Sequence, residues 1–443
     1  MDTPATATDS VTSVPVDRQQ RRRAAIAGLL GTFIEYYDFA MYGFLVVYLA
    51  PLFFPATNPA TSVLASFGAL AGGYVMRPLG ALFFGTLGDR RGRRVALLVT
   101  IVGMGTSTAV MGLLPTYAVA GVAAPVLLIV IRLLQGFSAG GEIVGSATLV
   151  AETSGRRRRG LFQAVTTLGS NTGTAAAPAA VGAAVAIFGS ANMASWGWRV
   201  PLLLSAVFTV LCLLYRLKLH ESDEFQQLEK AGKVEKIPLL AALRDYWQTI
   251  LGVAVMVLAM TCTAAVLMTY MNVYLINEVG MAKGTVYWLS AICLVLGGAG
   301  FLLGGLLVDR IGPGWTILIG FGGVGALIYP LLLVMGSTSN VVVIGVLYAV
   351  TLAVNNTAST GVYVIFTTSF PTRVRYSGAA FGFNLGAIVG GGITPYAAAQ
   401  IIEATGAPRS PALIVIGAAV LGLLGTSYMS WRRRTVPAAA VLA

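Results

Sequence analysis

GTLGDRRGRR at residues 85–94 and GLLVDRIGPG at 305–314 are two versions of one loop, and their spacing decides the architecture. Asp89 and Asp309 lie 220 residues apart, and Gly160 of RRRRG (156–160) lies 218 residues before Gly378 of TRVRYSG (372–378). Two basic loops recurring at one period describe an internal duplication. Because the loops keep their sign and order, the two copies run in the same direction.

The runs between those loops are apolar. Of 443 residues, 56% are hydrophobic and 10% charged, against roughly 25% charged in a soluble domain. Too little charge is left to coat a water-facing surface, so most of the chain faces lipid. The excess of 29 Lys and Arg over 17 Asp and Glu does not point to nucleic acid, because the basic residues sit in short clusters between apolar runs. A spanning helix takes about 20 apolar residues. Polar punctuation divides the chain into twelve such runs, near 24–52, 61–87, 94–114, 122–152, 160–189 and 197–219, then 248–277, 284–308, 315–336, 340–369, 376–402 and 410–431. A transmembrane barrel would need period-2 alternation over about ten residues, which this sequence lacks. The expectation is an all-α polytopic membrane protein whose twelve transmembrane helices form two parallel six-helix halves, the major facilitator fold. Its parts are a tail (1–23), a first bundle (24–219), a polar linker (220–247), a second bundle (248–432) and a closing tail (433–443).

With the N-terminus inside, 24 of the 29 basic residues fall on the inner side. Both termini are therefore expected to be cytoplasmic, in a bacterial-type plasma (inner) membrane. The first apolar run is too long for a signal-peptide core and reads as a retained helix. Cys212, Cys262 and Cys293 lie inside apolar runs without metal spacing, and His220 is the one histidine. No metal and no cofactor is expected.

The string at 85–94 closely resembles the signature loop of the major facilitator superfamily. GTFIEYYDFAMYGF (31–44), MRPLGALFFG (76–85), RLLQGFSAGGE (132–142), WGWRVP (196–201) and ESDEF (221–225) together resemble its metabolite:H⁺ symporter family, which includes shikimate, dicarboxylate, citrate and betaine transporters. The match covers most of the first half and only the layout of the second. It implies a loop that latches the two halves at the cytoplasmic face. There Asp89 accepts hydrogen bonds from Arg93 or Arg94, or faces a helix N-terminus. In the second copy Pro313 and Gly314 stand where the arginines do, so the latch around Asp309 is expected to be degenerate. The glycine-proline pair of antiporter relatives is missing from 169–184, where small residues suggest close helix packing and Pro178 a kink.

An ionisable side chain at mid-membrane costs at least about 2.5–3.5 kcal/mol, so each needs a reason. Glu35 and Asp38 share one helix face about 16 and 21 Å into the first run, with Tyr42 one turn beyond. Two carboxylates in a low dielectric favour proton uptake by one of them, and Glu142 joins them as a third candidate for proton coupling. Arg77 and Arg132 lie at matching depth, and Gln135 is one turn from Arg132. A planar guanidinium grips a carboxylate with two donors. Tyr42, Arg77, Arg132 and Gln135 are therefore substrate candidates, although Arg77 could equally be a purely structural partner of Glu35. Two arginines against Glu35, Asp38 and Glu142 leave one negative charge, so an anion-only cavity does not follow. The second half offers Tyr270, Asn355 and Asn356, with Asn272, Thr360 and Asn384 as further polar positions. Their amides either orient a ligand or bond neighbouring helices.

The function expected is proton-coupled symport of a small organic carboxylate or zwitterion by alternating access, by a monomer in contact with lipid. Export of a small metabolite or antibiotic fits the same fold. A membrane-embedded transferase would need a second acidic cluster, or a nucleophile with its base, and neither is present. An osmosensing betaine carrier is disfavoured, because TVPAAAVLA after Arg434 leaves no room for a regulatory coiled coil.

Overall fold

The computed structural model describes residues 18–55, 59–154, 158–219, 221–232, 235, 238–277 and 279–435. The sequence readings at 1–17, Arg156, Arg157 and His220 lie outside them. Among the described residues there is no strand, and twelve long helical segments follow one another. In the first half they are α1 (Arg18–Phe53), α2 (Pro59–Arg91), α3 (Arg93–Leu113), α4 (Ala123–Thr153), α5 (Arg159–Asn192) and α6 (Arg199–Arg216). In the second, α7 runs as Pro238–Ala265, a π-helical turn at Val266–Tyr270 and Met271–Asn277, and α8 as Lys283–Gly297 and Ala299–Ile311. There follow α9 (Pro313–Ser337), α10 (Val341–Thr368), α11 (Arg375–Ala387, a π-helical turn at Ile388–Ile393, then Thr394–Thr405) and α12 (Pro411–Thr435). A short amphipathic helix, Asp223–Lys230, connects the halves, started by Ser222 accepting from the Phe225 N–H.

Nine of these segments are apolar and long enough to cross a bilayer by composition alone. The others, α1, α2 and α11, are diluted by ionisable residues or by glycine and by the π-helical turn. α7 begins at Pro238, ahead of the run expected from 248, because Leu239, Leu240 and Leu243 continue the helix into the linker. Its geometry breaks at Tyr246 (φ −128°), which separates this stretch from the rest. In α5 the departure from helical geometry falls at Gly189 (φ 76°) and not at Pro178, since glycine enters positive φ without a Cβ clash.

The halves touch along two seams, α2 against α11 and α5 against α8. Within the first half α1 lies directly on α5. A Cβ at Gly169 or Gly173 would strike the backbone of Leu29 or Phe33, the close approach by which small residues let helices associate in lipid. The arginine clusters 90–94 and 373–375 lie together at one end of the bundle, here termed the basic face.

Candidate functional site

At the basic face the loop between α2 and α3 turns at Gly92 (φ 100°). Asp89 accepts hydrogen bonds from the backbone N–H groups of Tyr376 (3.2 Å) and Ser377 (2.8 Å), at the start of α11 in the opposite half. A carboxylate at a helix N-terminus satisfies orphan donors and meets the positive end of the dipole. Arg93 approaches Asp89 at 3.2 Å, donates to Glu152 through Nε and Nη2, and reaches across to the Thr372 carbonyl at 2.7 Å. Arg375 of the second half donates to the same Glu152 at 3.0 Å, and Ser222 of the linker does so at 2.6 Å. Tyr376 passes its hydroxyl to the Gly141 carbonyl (2.6 Å), and a side chain at Gly88 would run into its ring. The two halves are thus sealed together at this face.

Arg94, expected as an alternative donor to Asp89, instead donates to the Leu217 carbonyl at 2.8 Å. The backbone N–H groups of Arg93 and Arg94 are capped by Glu221, each at 3.0 Å. Burial lifts the Glu221 carboxyl above the usual glutamate range, against the pull of those N–H groups. Asp309 corrects the sequence expectation of a degenerate second latch. It accepts from the N–H groups of Gly160 (2.7 Å) and Leu161 (3.1 Å) at the start of α5. With Pro313 and Gly314 where the first copy has arginines, this latch carries the cap and, among the described residues, no ion pair.

Deeper in the first half, every ionisable residue singled out from the sequence is buried. Glu35 pairs with Arg77 between α1 and α2, leaving Glu35 Oε2 and Arg77 Nε without hydrogen-bond partners. Glu142 pairs with Arg216, the last residue of α6. Glu142 also accepts from Thr100 (2.6 Å) and Ser146 (2.9 Å). Its lone pairs are committed, and nothing in this arrangement reserves it for a proton. Counting Arg216 also changes the balance: three carboxylates now meet three guanidiniums, so the buried charges cancel.

Asp38 differs from both. It accepts from Thr108 (2.8 Å, α3) and Ser205 (2.6 Å, α6), and among the described residues no cation pairs with it directly. Thr108 in turn accepts from Gln135 Nε2 at 2.7 Å, and Gln135 Oε1 accepts from Arg132 Nη1. Both ends of the Gln135 amide are therefore occupied inside the protein. Arg132 lies 4.0 Å over the Tyr42 ring and 5.4 Å from that of Phe39, and its Nε and Nη2 have no partner. Those two N–H groups form the edge of the guanidinium suited to a bidentate carboxylate contact. Tyr42 itself donates to the Ser66 carbonyl at 3.1 Å.

In the second half Asn355 is buried with neither amide atom bonded. Its neighbour Asn356 donates to the Gly297 carbonyl at 3.0 Å, and Thr360 to the Phe301 carbonyl at 3.1 Å, tying α10 to α8. Asn384 crosses the halves to the Gly140 carbonyl (2.9 Å). Asn272 bonds Ser290, and Tyr270, in the π-helical turn of α7, donates to the Pro408 carbonyl before α12.

The model of the Major Facilitator Superfamily matches residues 28–395. The chain belongs to that superfamily. It is a multi-pass solute transporter and not an enzyme, in a family that works without a cofactor. It is 34% identical over 92% of its length to the "Proline/betaine transporter" of Escherichia coli K12, covering 83% of that protein. It is 33% identical over 96% of its length to the "Glycine betaine/proline/ectoine/pipecolic acid transporter OusA" of Dickeya dadantii, covering 85% of it. These relatives place it among the superfamily's metabolite transporters. Its fold matches that of the proton:xylose symporter XylE with a TM-score of 0.74, covering 95% of this chain and 96% of that one, at 16% identity.

Sequence reasoning passed over Glu152, Arg216, Thr108 and Ser205. An acid next to RRRR (156–159) signals a basic-face ion pair, so Glu152 could have been found. The hydroxyls of Thr108 and Ser205 carry no such signal, because Ser and Thr in helices routinely bond their own backbone.

Proposed function

We propose that this transporter carries a small zwitterion bearing a carboxylate, in symport with a proton, by alternating access between its two halves. The observation that supports this reading is the unpartnered Nε–Nη2 edge of Arg132, buried in an interior whose charges cancel. A zwitterion enters such an interior without adding net charge. A dicarboxylate would leave one negative charge unbalanced there even after Asp38 takes its proton, at the steep cost of unpaired charge in a low dielectric. The relatives' named cargoes, proline, glycine betaine and ectoine, belong to the zwitterion class.

In this scheme Arg132 grips the carboxylate of the cargo. Asn355, across the interface, orients it. Asp38, held by hydroxyls instead of a guanidinium, takes the proton, while Glu35 is paired with Arg77. Asp89, Arg93 and Asp309 latch the basic face, which is the cytoplasmic face of a bacterial-type plasma membrane. The protein acts as a monomer with both termini on that side.

The test is uptake into proteoliposomes under an imposed pH gradient, with labelled glycine betaine, L-proline and succinate. The zwitterions should accumulate, a protonophore should abolish accumulation, and succinate should neither enter nor compete. Uptake driven by sodium and indifferent to the protonophore would refute proton coupling. Succinate accumulation would refute the zwitterion class. Arg132→Lys should weaken binding of the transported zwitterion by about ten- to a hundredfold in a folded protein, since a point ammonium lacks the two-pronged edge.

A further inference from the structure

Asp38 and Arg132 are not in contact, yet one unbroken hydrogen-bonded chain connects them. Arg132 Nη1 donates to Gln135 Oε1, Gln135 Nε2 donates to Thr108 Oγ1 at 2.7 Å, and Thr108 Oγ1 donates to Asp38 Oδ2 at 2.8 Å. The direction of every bond is fixed from its ends. A guanidinium has donors only and an ionised carboxylate acceptors only, so the amide of Gln135 can point one way and the hydroxyl proton of Thr108 must point at Asp38. All four side chains are buried, where such bonds strengthen one another.

Thr108 has a second acceptor within reach. The carbonyl of Met104, one turn earlier on α3, is 3.2 Å from the same hydroxyl oxygen. A hydroxyl carries one proton and two lone pairs, so Thr108 cannot give a full hydrogen bond to Asp38 and to Met104 at once.

We propose that Thr108 is a two-position coupling switch between the proton site and the substrate site, a reading that rests on the symport function proposed above. With no cargo bound, Arg132 pulls on Gln135, Gln135 presents its N–H to Thr108, and Thr108 turns its proton to Asp38, which stays ionised. A cargo carboxylate on the Nε–Nη2 edge neutralises Arg132 and draws it away from Gln135. The chain loses its polarising end and the donor bond to Asp38 weakens. Asp38 then takes a proton from water. The new carboxyl O–H donates to Thr108, whose own proton turns to the Met104 carbonyl. Cargo and proton thereby favour each other, the sign symport requires. The groups facing Asp38 are Arg132 from α4 and Tyr37 from its own helix. From α3 and α6 come the hydroxyls of Thr108 and Ser205. Thr108 and Gln135 are positioning residues here, acting through Asp38 and Arg132.

The experiment uses the full-length protein in detergent at weak buffering, with glycine betaine and L-proline as probes. Proton uptake on adding a saturating probe is read with a pH dye, and its Kd is measured at pH 6 and pH 8. Wild type should bind about tenfold more tightly at pH 6 than at pH 8, which by proton linkage is an average uptake of about half a proton per probe bound across that range. Thr108→Val keeps the shape and removes the hydroxyl. It should at least halve the proton uptake and flatten the pH 6 to pH 8 ratio to about twofold. Thr108→Ser should restore both. Gln135→Leu cuts the chain one link further on and should reproduce the loss, whatever Thr108→Val does to folding. If Asp38→Asn abolishes proton uptake while Thr108→Val and Gln135→Leu leave it at the wild-type value, the switch is wrong and the symport reading stands. If wild type takes up no proton with either probe, the symport reading falls and the switch with it.

Discussion

Asp89 caps the start of α11 and Asp309 caps the start of α5, so each half offers one carboxylate to a helix N-terminus of the other. Their surroundings differ. Asp89 stands beside Arg93, Glu152 and Arg375, a buried ionic cluster that the linker completes through Ser222. Asp309 has backbone donors alone, and among the described residues no cation pairs with it. The duplicated fold has two latches of one geometry, and only the first carries an ionic network. Backbone capping is therefore the shared element that holds the halves together. The charges are an addition whose removal should matter more than the removal of a bare cap.

Glu152→Gln should give the largest effect. It strips the carboxylate from Arg93, a fully buried guanidinium, and from Arg375. Breaking a buried pair from one side costs about 3–5 kcal/mol, and part of that here is relieved by Asp89. The expected outcome is a melting temperature lowered by several degrees and counterflow reduced well over tenfold. A variant that melts and transports like wild type would show that the cluster adds nothing to the caps.

Asp89→Asn comes next. It keeps an acceptor oxygen for only one of the Tyr376 and Ser377 N–H groups, which bond different oxygens, and loses the charge facing Arg93. A shift of about 1–3 kcal/mol in the balance of conformers should slow counterflow by about tenfold or more. Equilibrium binding moves only through the fraction of competent conformer, so Kd should stay within about threefold. Asp309→Asn, at a latch without ion pairs, should slow counterflow by only about threefold under the same assay. Equal losses at the two positions would mean that the arginine network contributes nothing beyond a cap.

Much of this was open to sequence reasoning, and the part that was not has a common cause. Twelve runs of spanning length follow from what a bilayer demands of a backbone, and each overlaps an observed helix. The loop period exposed the duplication because both copies still need a carboxylate at the same place. Pairing was less legible. Glu142 finds Arg216 at a separation of 74 residues, and nothing in the chain marks Arg216 as other than one more basic residue at a helix end. That single omission turned a cancelled set of charges into an apparent excess of one. The reading of Asp309 failed for a related reason. Pro313 and Gly314 announce lost arginines, whereas the cap depends on backbone N–H groups that every sequence supplies. At Asp38 the partners are hydroxyls, and no periodicity sets apart a threonine that serves a carboxylate from one that serves its own helix.

Asn355 and Asn356 sharpen the contrast at the smallest scale, since adjacent amides on α10 were indistinguishable in the sequence. Asn356 donates to the Gly297 carbonyl, so Asn356→Leu leaves a buried acceptor orphaned and puts a larger apolar group against α8. A loss of about 1–3 kcal/mol in stability should follow. Asn355 has no partner for either amide atom, and a buried polar group in that state already bears its desolvation cost. Asn355→Leu should therefore leave the melting temperature unchanged or raise it slightly. If Asn355 orients the cargo, the same change should weaken binding by about fivefold, the worth of one hydrogen bond to the cargo. Melting curves with and without glycine betaine separate the two residues in one experiment. Asn356→Leu should lower both curves in parallel, while Asn355→Leu should lower only the increment that the ligand adds. A parallel drop for Asn355→Leu would make it a packing residue like its neighbour and would move the second half's contribution to binding elsewhere on α7 or α10.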